Sequence, residues 1–363
     1  MAGRKKKSAG RMPLWLYVLI VAVIALVTYF CTSGEAEGGD PQPPAASAAA
    51  QQTPADETLT VRFLDVGQGD SILLACGDET MLIDGGPVEE GQFLVSRLNR
   101  LDVAELTYVV NTHPDEDHCG GLAAVLAKYP AEHVYSSVTE YTTKVFSNVV
   151  KYADEQGHPV EVPQTGDSWT LGSASVQVIG PVQTYSDPNN GSLVLRVDYG
   201  GTSFLYTGDM EQKAETDLMA SGANVQADVL KAGHHGSPTS SSEAFLEAVA
   251  PSIAVISVGE DNDYGHPSAD VLARLEALGT AIYRTDTQGE IIITSDGQTL
   301  TVTTDPTSRE PAAGKDAPFI GNRNSMIVHS ANCAKLPGED NRVYFNTAEE
   351  AEEYGYQKHT CIK

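Results

Sequence analysis

From residue 59 onward, the chain carries short apolar runs that are rich in β-branched residues and separated by Gly and Asp turns. Runs of this kind are typical of strands. In the first half they predict strands at TLTVRFLDV, DSILLACG, ETMLIDGG and LTYVVNTH, with helices at GQFLVSRLNRL and GGLAAVLAKY. In the second half, strands at SASVQVIGP, GSLVLRVDYG and TSFLYTGD precede helices that alternate with the strands DVLKAG, IAVISVG and AIYRTD, and a hairpin follows. The pattern predicts an α/β fold of two packed sheets with helices on both outer faces.

The N-terminus differs from the rest of the chain in hydropathy and charge. Residues 13–31 form an apolar stretch, and no charged residue lies between Arg11 and Glu35. The stretch is near the lower limit of about 17–25 residues for a spanning helix, and basic residues precede it. The positive-inside rule therefore predicts a cytoplasmic tail at 1–12, a single-pass anchor in the cell membrane at 13–31 and an extracytoplasmic remainder. A cleaved signal peptide is the alternative, but no small-x-small site directly follows the apolar run.

Two segments of low hydrophobicity divide the rest of the chain. Residues 32–58 are rich in Ala, Pro, Gly and Gln and lack an apolar period, which predicts an extended linker. A second linker is predicted at 306–318, where the sequence is PTSREPAAGKDAP. The prediction is therefore a main domain at 59–305 and a small α+β module at 319–363.

The charge of the chain limits the kinds of partner that it can bind. The formal net charge is −26, and five of the 23 basic residues lie among the first twelve. The remainder carries 18 basic residues against 49 acidic ones. This balance argues against a broad non-specific nucleic-acid surface, which would be basic. It leaves room for an anionic substrate, because bound divalent metals can invert the local field.

The densest cluster of chemically active residues is THPDEDHCGG at 112–121. His113, Asp115, Asp117 and His118 lie in a loop between a buried strand and a helix that begins with glycine. Alternate side chains of such a loop can converge on one face, and neighbouring ones can reach a second centre. Imidazole and carboxylate are good ligands for Zn, Mn and Fe, so the loop predicts a metal site.

Three other predicted strands also end in potential metal ligands. LYTGD ends with Asp209, KAGHHGS contains His234 and His235, and YGHPS contains His266. Four strand ends that carry such residues predict one shared metal centre. Neighbours in sequence point apart, so the pattern leaves open which of the paired histidines is the ligand, and His266 is an alternative.

The motifs TVRFLDVGQGDSILL, MLIDGG, HPDEDHCGGL, NNGSLVL, LYTGD, LKAGHHGS and YGHPS, in this order, resemble the metallo-β-lactamase superfamily. They are most similar to the hydrolase part of ComEC-type competence proteins, over about residues 59–304. The resemblance implies an αββα sandwich with a metal site at the strand ends. ComEC proteins also carry a multi-helix channel, whereas this chain has one apolar span.

The resemblance implies two divalent ions, Mn²⁺ or Zn²⁺, and a role for each ligand. His113 and Asp115 would bind the first ion and Asp117, His118 and His235 the second, with Asp209 as the bridge. Asp117 and His234 would be catalytic, since His234 would contact the phosphate. Asp70 and Asp84 are expected to orient ligands. Cys119 is expected to be a small buried residue.

Two positions depart from the zinc hydrolases of the superfamily. Asp115 stands where a second His is usual, and the sequence around Asn190 and Ser192 stands where a third His would be. Asn190 and Ser192 are therefore possible metal or substrate contacts. A site with more oxygen ligands suits the harder cations Mn²⁺ or Mg²⁺ over Zn²⁺.

The C-terminal module resembles the small metal-binding domain related to the N-terminal zinc domain of Ada proteins. The shared features are GNRNS, NRVYF, the TAEEAEEYGY helix and the His-x-x-x-Cys spacing. One of the two closing cysteines is missing. Four residues could still complete a tetrahedral structural Zn²⁺ site, namely His329, Cys333, His359 and Cys361. The alternative is a metal-free module that is stabilised by its Tyr and Phe core.

Together these features predict a membrane-anchored, extracytoplasmic dinuclear metallohydrolase that cleaves phosphodiester bonds in DNA. The expected partners are DNA, the membrane and a DNA-uptake channel. The first alternative is a phosphodiesterase that acts on a cell-envelope polymer or a small phosphoester. The second is a surface DNA-binding protein without catalysis.

Overall fold

The structure is a computed structural model, and it describes residues 57–309, 315–322 and 324–362. The predicted cytoplasmic tail and anchor, and the linker up to residue 56, lie outside the described residues. Within the described ranges, no helix combines the length and the apolar composition that crossing a bilayer requires.

Eighteen strands and nine α-helices are found in the described chain. The strands are β1 Leu59–Phe63, β2 Ile72–Cys76, β3 Glu79–Ile83, β4 Leu106–Asn111, β5 Ala131–Ser136, β6 Ser168–Leu171, β7 Ala174–Gly180, β8 Val194–Tyr199, β9 Thr202–Tyr206, β10 Val229–Lys231, β11 Ile253–Ile256, β12 Ala281–Arg284, β13 Glu290–Ser295, β14 Leu300–Asp305, β15 Phe319–Asn322, β16 Ile327–Ser330, β17 Arg342–Phe345 and β18 Gln357–Lys358. The helices are α1 Gly91–Arg100, α2 Glu116–Cys119, α3 Leu122–Leu126, α4 Lys144–Gln156, α5 Gln212–Ala220, α6 Glu243–Val249, α7 Ala269–Ala277, α8 Thr285–Gln288 and α9 Ala348–Glu353. Short 3₁₀ turns lie at Val88–Glu90, Gly233–Gly236 and Glu339–Asn341.

Two seven-stranded sheets form the main domain. Their strand orders are β14-β13-β1-β2-β3-β4-β5 and β12-β11-β10-β9-β8-β7-β6. The alternation in the sequence sets which side chains face inward. In β1, for example, Leu59, Val61 and Phe63 are fully buried, whereas Thr60 and Arg62 between them are partly exposed. The inward residues of both sheets form one core, which includes Phe63, Val110, Leu195 and Phe204.

Helices cover the outer face of each sheet. Leu94 of α1, Leu122 of α3 and Phe146 of α4 pack in a second core on the first sheet. Leu218 of α5 and Phe245 of α6 belong to a third core on the second sheet, together with residues of α7. The order of layers is helix, sheet, sheet, helix, and this confirms the predicted αββα arrangement.

The small C-terminal module has its own sheet and core. Its strand order is β17-β15-β16-β18, and its core includes Ala351 of α9 and the ring of Tyr354, which directly follows that helix. The guanidinium of Arg100 lies 4.3 Å from the centre of the Tyr354 ring, so the module contacts α1. The start of the predicted linker also packs on the main domain, because Arg309 binds Glu90 at 2.6 Å.

Candidate metal centre

The predicted ligands meet at one edge of the two sheets because several strands run parallel and end there. β3, β4 and β5 are parallel in the first sheet, and β9, β10, β11 and β12 are parallel in the second. The loops after β4, β9 and β10 carry the histidines and aspartates, and parallel strands place these carboxyl ends side by side. Gly69 lets one further loop approach, since a Cβ there would lie 2.3 Å from the carbonyl oxygen of Asp117.

Three buried histidines are fixed through one ring nitrogen and present the other. His118 Nδ1 lies 2.8 Å from Asp84 Oδ2, and His235 Nδ1 lies 2.9 Å from the Ser257 carbonyl oxygen. His113 Nδ1 lies 3.1 Å from the hydroxyl of Thr112. The Nε2 atom of each of these three rings is buried and has no hydrogen-bond partner. Each Nε2 is therefore in the position of a metal ligand.

Two carboxylates meet these nitrogens. Asp209 lies at the centre, with Oδ1 3.2 Å from His118 Nε2 and Oδ2 3.5 Å from His235 Nε2. Asp117 Oδ2 lies 3.2 Å from His235 Nε2. Asp209 Oδ1 is buried without a hydrogen bond, as the three nitrogens are. A protein rarely leaves so many buried polar atoms unsatisfied, so the donor set fits divalent metal ions.

Asp115 lies at the solvent side of the cluster. Its Oδ2 atom is 3.7 Å from His113 Nε2, and 38% of its side chain is exposed. Burial and the neighbouring charge of Asp117 raise the pKa of Asp115. The structure thus brings Asp115 next to the first predicted histidine.

Asp84 positions the loop that carries the ligands. Its oxygens accept hydrogen bonds from the Thr112 amide at 2.7 Å, the Thr112 hydroxyl at 2.6 Å and the Asn111 amide group at 3.1 Å. Its backbone has a φ of 58°, which an Asp tolerates better than most residues. With His118 as its fourth partner, Asp84 takes the outer position of a carboxylate–histidine–metal arrangement.

Asp70 lies behind the imidazole rings, next to a buried lysine. Asp70, His118, Asp209 and His235 each offer one ligand-type atom within 4.8 Å of the others. However, Asp70 approaches the Nδ1 atoms, at 3.4 Å from His235 and 3.9 Å from His118. Its strongest contact is with Lys231 Nζ at 2.6 Å, and both side chains are buried. The position of Asp70 is therefore that of an orienting group. Lys231 lies within the motif LKAGHHGS, but the sequence assigned it no role.

The buried charges interact strongly in the metal-free site. Burial would lower the pKa of His235, but Asp209 and Asp70 raise it to about 10. Burial also opposes the charge on His118, whose pKa Asp209 and Asp84 nevertheless raise well above its ordinary value. Burial and the charge of His118 lower the pKa of His113 to about 3. A metal that binds here must therefore displace protons from some of its ligands.

His234 and His266 lie at the mouth of the centre. The side chain of His234 is 23% exposed, and its Nε2 is 3.6 Å from Asp209 Oδ2. Both paired histidines have positive φ angles, 50° for His234 and 53° for His235, in the 3₁₀ turn. The turn directs His235 inward and His234 toward solvent. The ring centre of His266 is 5.7 Å from that of His234.

Asn190 and Ser192 are placed where they support neighbouring groups. The side-chain oxygen Oδ1 of Asn190 accepts from the Ala214 amide at 3.2 Å, which fixes the start of α5. The Ser192 hydroxyl accepts from the Asp209 amide at 3.1 Å and lies 3.4 Å from His113 Nδ1. Burial raises the pKa of Cys119 to about 12, so this residue is a buried thiol.

The four predicted residues of the tail also converge. Cys333 Sγ lies 3.4 Å from His329 Nδ1 and 3.8 Å from His359 Nδ1. With Cys361, each residue offers one ligand-type atom within 4.8 Å of the others. Two sulfurs and two imidazole nitrogens are a common donor set of structural Zn²⁺, so this cluster fits one such ion.

Comparison with known proteins assigns the chain to one superfamily. Residues 64–260, just over half of the chain, match the family described as the metallo-beta-lactamase superfamily. The chain therefore belongs to this superfamily, and the resemblance seen in its motifs is confirmed.

Relatives of the chain include ComEC-type competence proteins. The chain is 32% identical over 250 residues to ComE operon protein 3 of Bacillus subtilis, covering 64% of this chain and 32% of that protein. It is 36% identical over 239 residues to competence protein ComA of Neisseria gonorrhoeae, covering 65% and 32%. The chain thus spans about a third of the length of these relatives. Among solved structures, the metallo-beta-lactamase fold protein YhfI from Bacillus subtilis is similar with a TM-score of 0.45 and 12% identity, covering 66% of this chain and 100% of YhfI.

Proposed function

We propose that the chain is a dinuclear metal-dependent phosphodiesterase and that DNA is its substrate. The observation that carries the proposal is the set of buried, unpartnered Nε2 atoms of His113, His118 and His235 around Asp209. In this proposal His113 and Asp115 hold one ion, and Asp117, His118 and His235 hold the other. Asp209 would serve both ions, as the resemblance to the superfamily implies, and its oxygens lie 3.2 Å from His118 Nε2 and 3.5 Å from His235 Nε2, the two rings of the second ion.

The residues of the chain would divide the work of hydrolysis. Two bound divalent ions lower the pKa of a water and neutralise charge on the phosphate oxygens. Asp117 and His235 would bind the same ion, and their ligand atoms Oδ2 and Nε2 lie 3.2 Å apart. The side chain of His234 is partly exposed and its Nε2 is 3.6 Å from Asp209 Oδ2, so it is placed to contact the phosphate or to protonate the leaving oxygen.

The choice of metal and substrate rests on two separate arguments. The carboxylate of Asp115 beside His113 makes the first site rich in oxygen, which favours Mn²⁺ or Mg²⁺. Similarity to competence proteins supports DNA and association with a DNA-uptake channel. The net charge of −26 instead favours the second candidate, a phosphodiesterase that acts on an envelope polymer or a small phosphoester. The intact donor set argues against a surface DNA-binding protein without catalysis.

The proposed location is the outer face of the cell membrane, with residues 13–31 as the anchor. Protease added to intact cells should then remove the region from residue 59 to 363. Protection of that region in intact cells, with cleavage after lysis, would contradict this topology.

The test of the activity compares full-length protein with Asp117→Ala across Mn²⁺, Mg²⁺ and Zn²⁺. The substrates are single-stranded DNA, duplex DNA and a small phosphodiester. Loss of Asp117 should lower the rate at least about 100-fold with every metal. Mutation of residues that only hydrogen-bond to metal ligands already lowers activity about 10–100-fold, and Asp117 is proposed as a ligand itself. Asp154→Ala on the exposed end of α4 is the matched control and should leave the rate unchanged. A rate that survives chelation or the Asp117→Ala change would contradict the proposal.

A further inference from the structure

The loop between β11 and α7 carries an unusually exposed aromatic side chain. Tyr264 is 71% exposed, which is more than any other exposed large hydrophobic residue in the described part of the chain. A single apolar residue in water needs no explanation by itself. The position and support of this ring are what distinguish it.

One side chain, Asn262, holds the backbone of the loop. The Asn262 side chain donates to the carbonyl oxygens of Gly259 at 3.0 Å and His266 at 2.7 Å. Its own carbonyl oxygen accepts from the amides of Tyr264 at 3.2 Å and His266 at 3.0 Å. One amide side chain thus fixes four backbone groups of the loop. The backbone that carries Tyr264 is therefore held by hydrogen bonds within the loop.

The ring lies at the outer end of a stack that begins at the metal centre. Tyr264 stacks on His266 with ring centres 5.7 Å apart and an interplanar angle of 22°. His266 in turn meets His234 edge-on at 5.7 Å, and His234 Nε2 is 3.6 Å from Asp209. One face of Tyr264 is covered by His266, and the opposite face is open. A planar group that binds on the open face of Tyr264 is connected to the metal centre through His266 and His234.

The charge of the loop indicates what kind of group this would be. The segment GEDNDYGHPS holds Glu260, Asp261 and Asp263 and contains no Lys or Arg. Phosphates are repelled by this segment, so the binding energy at Tyr264 must come from a neutral, flat surface. A nucleobase offers such a surface, and stacking of bases on aromatic rings tolerates any sequence.

We propose that Tyr264 is the stacking platform for a nucleobase of single-stranded nucleic acid. This base would lie one or two nucleotides from the phosphodiester at the metal centre. This inference rests on the proposed phosphodiesterase function and names its substrate class. It also explains how an acidic protein holds a polyanion: the base contacts the loop, and the phosphates contact the metals. Binding at Tyr264 should therefore depend weakly on salt, unlike binding to a basic surface.

The test separates the base from the backbone. Full-length protein is titrated, in chelator, into a fluorescein-labelled oligothymidylate and into an abasic oligophosphate of the same length, and anisotropy is read. Wild type should prefer the thymidylate. Tyr264→Ala should weaken thymidylate binding about 5- to 30-fold and remove the preference for thymidylate. This fold-change is the lower part of the range that loss of one base–aromatic stack produces. Tyr264→Phe should retain the preference, because the ring remains.

The controls distinguish failure of this inference from failure of the proposed function. Leu278→Ala, at the exposed C-terminal end of α7, should bind both oligomers as wild type does. Equal binding of the two oligomers by wild type, or an unchanged preference in Tyr264→Ala, would overturn the inference whatever the activity. If the preference is present but neither oligomer is cleaved with Mn²⁺, Mg²⁺ or Zn²⁺, the platform stands and the phosphodiesterase proposal fails.

Discussion

Replacement of Lys231 by Met should destabilise the protein strongly. Lys231 Nζ is 2.6 Å from Asp70 Oδ2, and the side chains are only 1% and 2% exposed. Methionine has a similar length but no charge, so Asp70 would keep a buried carboxylate without its main partner. Breaking a buried pair in this way costs about 3–5 kcal/mol. For a domain of this size, that corresponds to a drop in melting temperature of about 6–20 °C.

The surroundings of Asp70 determine what happens to its charge. Burial opposes ionisation of Asp70, but Lys231 and His235 hold its pKa well below the ordinary range. Without the lysine, the nearest positive groups are the rings of His235 and His118, at 3.4 and 3.9 Å. Asp70 would then compete with the Ser257 carbonyl for His235 Nδ1 and turn the ring. Metal affinity should fall about 10–100-fold for this reason.

The assay is a double-mutant cycle of Asp70→Asn, Lys231→Met and the double variant, read by thermal and urea unfolding in chelator. Metal affinity is measured by titration. The double variant should be more stable than the sum of the single changes predicts, because neither charge remains unpaired. Lys213→Met is the control, since the Lys213–Asp217 pair is on the surface, and it should not change the melting temperature. The reasoning would be refuted if the losses of stability in the two single variants simply add in the double variant. A Lys231→Met protein as stable as wild type would refute it too.

Three further predictions concern the metal-binding groups. In chelator, stability should fall above about pH 6.5, the ordinary pKa of His, because folded His235 keeps its proton up to a pKa of about 10. It should also fall as the pH drops from 6.5 toward 3, because unfolded His113 takes up a proton that the folded form refuses. A melting maximum above pH 9 would contradict the first sign, and a melting temperature that rises as the pH drops below 6.5 would contradict the second. Asp115→His should tighten Zn²⁺ binding and lower the Mn²⁺-supported rate; if wild type already prefers Zn²⁺ and the variant does not change this, position 115 does not select the metal. Metal analysis of full-length protein should find one Zn²⁺ that is lost in Cys333→Ser with Cys361→Ser, while a content that does not change would show that the tail holds no zinc.

The fold was predictable where the hydrophobic pattern is strong. The strands that enter the shared core, such as β4 and β8, lie within the predicted apolar runs. The pattern did not predict β5, whose six residues include Glu132 and the partly buried His133. Helix α4 also lies outside the predicted elements, although its capping residues are typical of a helix: Thr143 accepts from the Phe146 amide at its start, and Gly157 ends it with a φ of 81°.

The metal centre shows why ligands are easier to predict than the groups that support them. A ligand is recognised by its residue type at a strand end, and that information is local. Lys231 is also locally unusual, because it ends a fully buried strand, and burying an unpaired ammonium is too costly to tolerate. The sequence therefore implies that Lys231 has a partner, but it offers 49 acidic residues, and only the packing of the two sheets selects Asp70. The paired histidines differ for a related reason: which ring faces inward depends on two positive φ angles in one short turn, and no residue type specifies them.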